Sequence, residues 1–352
     1  RLVHALRRQR IIDVGYGHNP CRQRNLLSRQ PFGIAFSVEL LVMVVSNLHS
    51  HGQEALGAPL LDDGGWLFTV SSSGEAQAFD TAAGFALRWS AELDSVDVQP
   101  LLARVTGGTP RLVGTRRASD RVRSVAVHPD SLATEFPLPD DARLEADPVV
   151  AVVGGRERLA LLYDGLVDLR EPDGRTVSSW PVSLPSASVP DSNAWLAAWP
   201  APDGEGDDRI VIVNERGQIT RVGGDGRVEF LGNALDEAPV DELVLADVDG
   251  DGGLDLIVTS ALRVHALHES GAPLRGFPVL LSELLIVLES EEDRLVRSPV
   301  VADLDRDGRN EVAFTTFYGI THVVSGSGEV EDGFPRAFSA GDGSLAVLDL
   351  PD

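Results

Sequence analysis

A short apolar segment returns along this chain every 41 to 56 residues, and that rhythm constrains the fold more than any other feature. It reads as Pro followed by three aliphatic or small residues at Pro100, Pro148 and Pro299, with related starts at Pro59, Trp195, Leu243 and Leu345. Successive spacings are 41, 48, 47, 48, 56 and 46 residues. Four strands of about five residues with their turns fill such a period, which is the content of one blade of four antiparallel strands. The expected fold is therefore all-β: a β-propeller of four-stranded antiparallel blades, about seven of them.

Each unit repeats the same order of signals. A nearly continuous apolar strand, read as the buried inner strand, is followed by a Gly/Asp-rich turn. A second apolar strand comes next: Leu159–Leu162, Arg209–Val213, Leu256–Thr259 and Val312–Thr315. A third, more alternating strand covers Arg263–Leu267 and Gly319–Val324. Two units then carry Gly-Phe-Pro at Gly276 and Gly333, and an earlier one has Ser179-Trp180-Pro181 at the same place. Proline is tolerated there because the outermost strand of a blade is an edge. Gly 35 and Pro 21 in 352 residues suit many short strands, and no segment has the pattern of a long amphipathic helix.

The expected organisation is an N-terminal segment, 1–57, and a propeller, 58–352. The first 50 residues hold seven Arg against Asp13 and Glu39, while the whole chain carries a net charge of −24. Within them the apolar run Pro31–Val45 is too short for a transmembrane helix. Its basic flank has the layout of a secretory signal, whereas Glu39 inside it fits buried strands better. The segment is read either as a signal or anchor remnant or as strands that close the ring. So acidic a chain is repelled by nucleic acid and by anionic membrane surfaces, and should attract divalent cations. The single cysteine, Cys21, excludes an intrachain disulfide framework.

Chemistry concentrates in two loops between first and second strands. One is Asp247-Val-Asp249-Gly-Asp251-Gly252-Gly253-Leu-Asp255, and the other is Asp303-Leu-Asp305-Arg-Asp307-Gly308-Arg309-Asn-Glu311. Both fit D-x-D-x-D-G-x-x-[DE], 56 residues apart. Carboxylates at positions 1, 3, 5 and 9 must converge, because the position-6 glycine lets the chain turn sharply. Like charges held so close raise one another's pKa unless a cation neutralises them. Ca²⁺ suits such a cage of hard oxygens, with the backbone carbonyls of Gly253 and Arg309 and water completing the shell; Mg²⁺ is less tolerant of the geometry. An EF-hand would need a bidentate Glu at position 12, where Val258 and Phe314 stand inside apolar strands.

These loops and their flanking strands resemble FG-GAP (VCBS) repeats, the calcium-binding blades of integrin-α-type propellers. The loop match covers about 240–340 closely, and the strand rhythm extends it more weakly over 59–352. The unit from Pro59 instead resembles pyrroloquinoline-quinone-type propeller repeats, with Gly74, Asp80, Gly84 and an inward Trp89 in order. Other units depart from the acidic pattern. The unit from Trp195 aligns Ala201, Asp203, Glu205, Gly206 and Arg209, and the arginine could stand where the cation would be. The units from Pro100 and Pro148 have Gly107-Gly108 and Gly154-Gly155 with no carboxylate, and after Asp349 stands Pro351. Metal is thus expected in the C-terminal half alone.

His265 and His322 recur at one register, five residues before the Ser of each Ser-Gly, and are read as packing residues. Neither a nucleophile elbow nor a P-loop, dinucleotide fingerprint or H-E-x-x-H zinc motif is present, so no catalytic residue is assigned. The resemblance implies a secreted, cell-surface or periplasmic module that binds a protein or glycan partner, with no transmembrane span. The competing expectation is a propeller enzyme, either a polysaccharide lyase or hydrolase or a quinone-dependent oxidoreductase.

Overall fold

The structure is a computed structural model. It describes strands between residues 9 and 137 and the chain from Leu138 onward, apart from 140–141, 202–205, 285–292, 338–343 and 350–352. The run Pro31–Val45, the Gly107-Gly108 turn, Asp203, Glu205, Pro351 and the Trp89 side chain lie outside the described residues.

Among the described residues, strands β2 to β25 form six four-stranded antiparallel sheets, each with its strands in chain order. The first two are β2 (Leu60–Leu61) to β5 (Ala86–Glu92) and β6 (Leu101–Arg104) to β9 (Ala133–Pro137). The third comprises β10 (Val149–Val153), β11 (Arg156–Tyr163), β12 (Leu166–Arg170) and β13 (Val182–Ser183). The fourth runs from β14 (Ala194–Trp199) through β15 (Arg209–Asn214) and β16 (Gln218–Val222) to β17 (Val228–Asn233). The fifth holds β18 (Val244–Ala246), β19 (Asp255–Thr259), β20 (Arg263–Leu267) and β21 (Val279–Leu280), with a one-turn helix, α1 (Leu281–Leu284), after it. The sixth holds β22 (Val300–Ala302), β23 (Glu311–Thr315), β24 (Ile320–Val324) and β25 (Arg336–Ala337). A seventh sheet has two strands, β1 (Gln9–Val14) paired antiparallel with β26 (Ser344–Asp349).

The chain divides into two compact units: Arg1–Arg29 with Val211–Arg221 and Glu229–Asp352, and Gln30–Ile210 with Val222–Val228. Both acidic loops lie wholly within the first.

One expectation about burial is corrected. The apolar pattern predicts buried first strands, and β14 is buried at four of its six residues, yet β18 and β22 are half-buried along their length, while β19 and β23 are buried at every residue. The reason is position: a first strand has a hydrogen-bonded neighbour on one side only, whereas a second strand is flanked on both. The core of the fifth and sixth blades is built accordingly. Ile257, Val264 and Ala266 of the fifth blade cluster with Val312, Phe314 and Val324 of the sixth, and Phe277 and Leu295 join them. At about 25 cal/mol per Å² of apolar surface, this inter-sheet packing is the main stabilising term.

Turn chemistry explains where the strands begin. Val153 pairs with Arg156 across Gly154 and Gly155, which both have positive φ (62° and 67°), so β11 starts three residues before the expected Leu159. Where the acidic nonapeptides intervene, the second strand starts only at Asp255 or Glu311. The aromatic-Pro pairs precede the two-residue outer strands as expected, and Trp180-Pro181, Phe277-Pro278 and Phe334-Pro335 are all cis.

Candidate metal centre

The first acidic loop joins β18 to β19 and the second joins β22 to β23. Their internal wiring uses the same four carboxylate acceptors and differs in one donor to the position-1 side chain, position 4 in the first loop and position 5 in the second. The position-1 carboxylates fold back over the turn: Asp247 accepts from the backbone N–H of Gly250 (2.8 Å) and Gly252 (3.0 Å), and Asp303 from those of Asp307 (3.1 Å) and Gly308 (3.0 Å). At position 3, Asp249 accepts from Asp251 N–H (3.1 Å) and Asp305 from Asp307 N–H (3.0 Å). At position 5, Asp251 accepts from Gly253 N–H (2.7 Å) and Asp307 from Arg309 N–H (2.8 Å). The position-9 side chains close the loop, Asp255 on Val248 N–H (3.0 Å) and Glu311 on Leu304 N–H (2.7 Å).

The backbone follows the same plan. Gly252 and Gly308 have φ of 87° and 90°, the left-handed region that makes glycine necessary at position 6. Position 4 is left-handed too: Gly250 has φ 80° and Arg306 has φ 67°.

This folding brings positions 1, 3 and 9 together. Carboxylate oxygens of Asp247, Asp249 and Asp255 lie within 4.8 Å of one another, and so do those of Asp303, Asp305 and Glu311. Oxygens sharing a shell of radius 2.3–2.6 Å about one cation can be no more than about 5 Å apart, so both triads fit a hard ion of calcium's size. Position 5 behaves differently in the two loops. Asp307 is not part of the second triad, and Asp251 instead groups with Asp249 and His268. Gly253 and Arg309 stand at position 7 as expected, with their N–H groups turned to Asp251 and Asp307.

The electrostatics are those of carboxylates held together. Burial pushes the Glu311 carboxyl up to about 7, and Asp305, Glu331 and Asp303 push in the same direction against the Leu304 N–H. Asp255 is raised by burial and by Asp249, opposed by the hydrogen bonds of Val248 and Asp249 and by His268. Burial also raises Glu331, and Asp305, Asp332 and Asp307 add to it. A divalent ion in either triad would remove this cost.

Two residues at these loops were not read from the sequence. His268 lies past the end of β20, its Nδ1 3.5 Å from Asp255 Oδ1. Glu331 faces the second loop from beyond β24. Aligning the repeats on β20 and β24 pairs His268 with Ser325 and Leu274 with Glu331, so the signal lay in how the two repeats differ.

In the fourth blade the loop's described acids have another use. Asp208 accepts from Val152 N–H at 2.7 Å and Asp207 from Gly154 N–H, so both bond to the backbone at the β10–β11 hairpin.

Comparison with solved structures fixes the architecture. The BBS1N structure solved in complex with ARL6DN and soaked with lead superposes with a TM-score of 0.53 at 14% identity, covering 85% of this chain and 91% of that one. A functionally unknown protein from Desulfotomaculum acetoxidans gives 0.52 at 12%, covering 85% and 90%. Sqt1 of Saccharomyces cerevisiae gives 0.51 at 10%, covering 80% and 72%. The fold is a β-propeller. Identities this low carry the fold and nothing finer. No family model matches the sequence, and no curated protein matches it either. Among the described residues of the propeller, no helix is long and apolar enough to cross a membrane.

Proposed function

We propose that this β-propeller is a calcium-binding module of the FG-GAP (VCBS) type. It acts as a secreted, cell-surface or periplasmic scaffold that binds a protein or glycan partner. The observation that carries the reading is the duplicated loop, in which two carboxylate triads are held by backbone N–H groups bonded to the same four carboxylate positions. Ca²⁺ supplies charge neutralisation there and ties the end of a first strand to the start of a second. Asp247, Asp249 and Asp255 would hold one ion and Asp303, Asp305 and Glu311 the other, with Asp251, Asp307 and the position-7 carbonyls of Gly253 and Arg309 completing the shells. An ion that binds the folded chain alone stabilises it by mass action.

Localisation follows from the same reading, because calcium is abundant outside the cytosol. A protein partner is supported by BBS1N, a propeller of similar fold that was solved in complex with ARL6DN.

The test is calorimetric. The chelator-treated protein should take up two Ca²⁺ and melt at a higher temperature when they bind. Asp249→Ala with Asp305→Ala should abolish both effects. No uptake by the unaltered chain would end the calcium reading. For the module, glycan-array and affinity-capture experiments should show Ca²⁺-dependent binding without product formation, and turnover of a bound polysaccharide would overturn it.

A further inference from the structure

We propose that the first acidic loop is also a mixed nitrogen–oxygen site, in which His268 with Asp249 and Asp251 takes a borderline divalent cation of the zinc or cobalt class in exchange for Ca²⁺ when such an ion is present. The second loop remains an all-oxygen calcium site. This deepens the reading above and rests on it, since it takes the loops to be cation cages.

The decisive feature is a donor from a separate element. His268 belongs to the β20–β21 turn, where its N–H bonds to the Ala272 carbonyl (2.9 Å) and its carbonyl accepts from Gly271 N–H (2.8 Å). The hairpin therefore fixes its backbone independently of the loop. From there an imidazole nitrogen comes within 4.8 Å of carboxylate oxygens of both Asp249 and Asp251. Asp255 Oδ1 stands 3.5 Å from Nδ1, so the ring lies beside the oxygen triad as well. The His268 side chain is 39% exposed and the two aspartates are exposed, so an ion can enter.

The second loop is the internal control. It shares every loop hydrogen-bond acceptor with the first, yet has Ser325 where the first has His268 and Glu331 where the first has Leu274. The first loop thus has an imidazole within reach of its carboxylates, and the second has instead the Glu331 carboxyl, which feels the charges of Asp305 and Asp307. Imidazole nitrogen is a preferred ligand of zinc, cobalt, nickel and copper and contributes little to calcium, which takes oxygen. The divergence thus sorts the two loops by metal.

The experiment titrates Zn²⁺ into the full chain in excess Ca²⁺ by calorimetry, with Co²⁺ absorption spectra in parallel. The unaltered chain should take up one Zn²⁺ while Ca²⁺ remains at the second loop. His268→Ala should weaken Zn²⁺ by about tenfold or more and leave Ca²⁺ uptake at the second loop unchanged. In the converse direction, Ser325→His should raise Zn²⁺ affinity at the second loop. Zn²⁺ affinity indifferent to His268→Ala, with Ca²⁺ uptake intact, overturns this proposal alone. Zn²⁺ bound through His268 without Ca²⁺ uptake anywhere supports the site while removing the calcium reading. No uptake of either ion overturns both.

Discussion

Asn310 Nδ2 donates a 2.7 Å hydrogen bond to the main-chain carbonyl of Asp247, 63 residues earlier, and so ties the second acidic loop to the first. Asn310 is position 8 of its loop and Asp247 is position 1 of the preceding blade's. Asp208 plays the matching part in the other unit, giving its N–H to the Val152 carbonyl (2.8 Å) and accepting from the Val152 N–H. Position 8 is thus a blade-to-blade strut in the loops of Asn310 and Asp208, one acidic and one not, while the first acidic loop has Leu254 there.

Asn310→Ala should therefore act on both loops. Losing the donor leaves a part-buried carbonyl unpaired, which costs on the order of 1 kcal/mol. We expect a lower denaturant midpoint at constant m-value and weaker Ca²⁺ uptake at the first loop, whose own residues are untouched. Unchanged uptake there would show that the strut transmits nothing.

Gly326 supports the first loop from its other side. A Cβ on it would sit 2.1 Å from the Val248 carbonyl oxygen and 3.6 Å from Asp249 Cα, both rigid backbone. Gly326→Ala should cost about 1–3 kcal/mol, the usual range for forced overpacking. Thermal melts should record that loss, and calorimetry should show weaker cation uptake at the first loop with uptake at the second retained.

The parts of this molecule that were legible in advance are those written in local pattern. The apolar seconds, Leu256–Thr259 and Val312–Thr315, fall inside β19 and β23, because a continuous run between turn residues has few other fates. Arg263–Leu267 coincides with β20. The acidic nonapeptides were visible since their ligands, glycine and spacing are contiguous in sequence. His268 and Glu331 were not, because each reaches its loop through a hairpin and is 13 or 20 residues from the last carboxylate of that loop. The half-burial of β18 and β22 is not legible for a related reason: composition reports how apolar a strand is, while burial depends on how many neighbours flank it.

Glu311 makes the metal-free protein pH-dependent in an unusual direction. A carboxyl whose pKa rises on folding, here from 4.5 to about 7, holds its proton more tightly in the native state. Its contribution is fully present below 4.5 and is lost as pH climbs through 7, by up to about 1.4 kcal/mol per pH unit. Glu311→Gln should then raise the stability of the chelator-treated protein at pH 8 and remove the gain that Ca²⁺ brings at the second loop. A variant less stable than the parent without metal would contradict the burial argument.

His322 supplies the opposite slope. It is fully buried against Phe314, with ring centroids 5.4 Å apart and planes at 17°, and neither ring nitrogen has a hydrogen-bond partner. His265 holds the same register one blade earlier, 3% exposed, with Nε2 unpartnered. Burial pushes both down to about 4; Asp293 opposes this at His322, while at His265 Arg263 adds to it against Asp236 and Glu237. A histidine whose pKa falls on folding stabilises above its unfolded value near 6.5, and that contribution drains away as pH drops toward 4. Each ring can contribute up to about 1.4 kcal/mol per pH unit across that window. In a Glu311→Gln background, which removes the most strongly raised carboxyl, His322→Phe should melt no lower than its parent at pH 7. Its stability should also fall less steeply than the parent's between pH 6.5 and 4, since one of the two buried rings no longer titrates. If the acid slope were unaffected, the protons would be entering elsewhere, and the unpartnered nitrogens would not govern how this interface responds to acid.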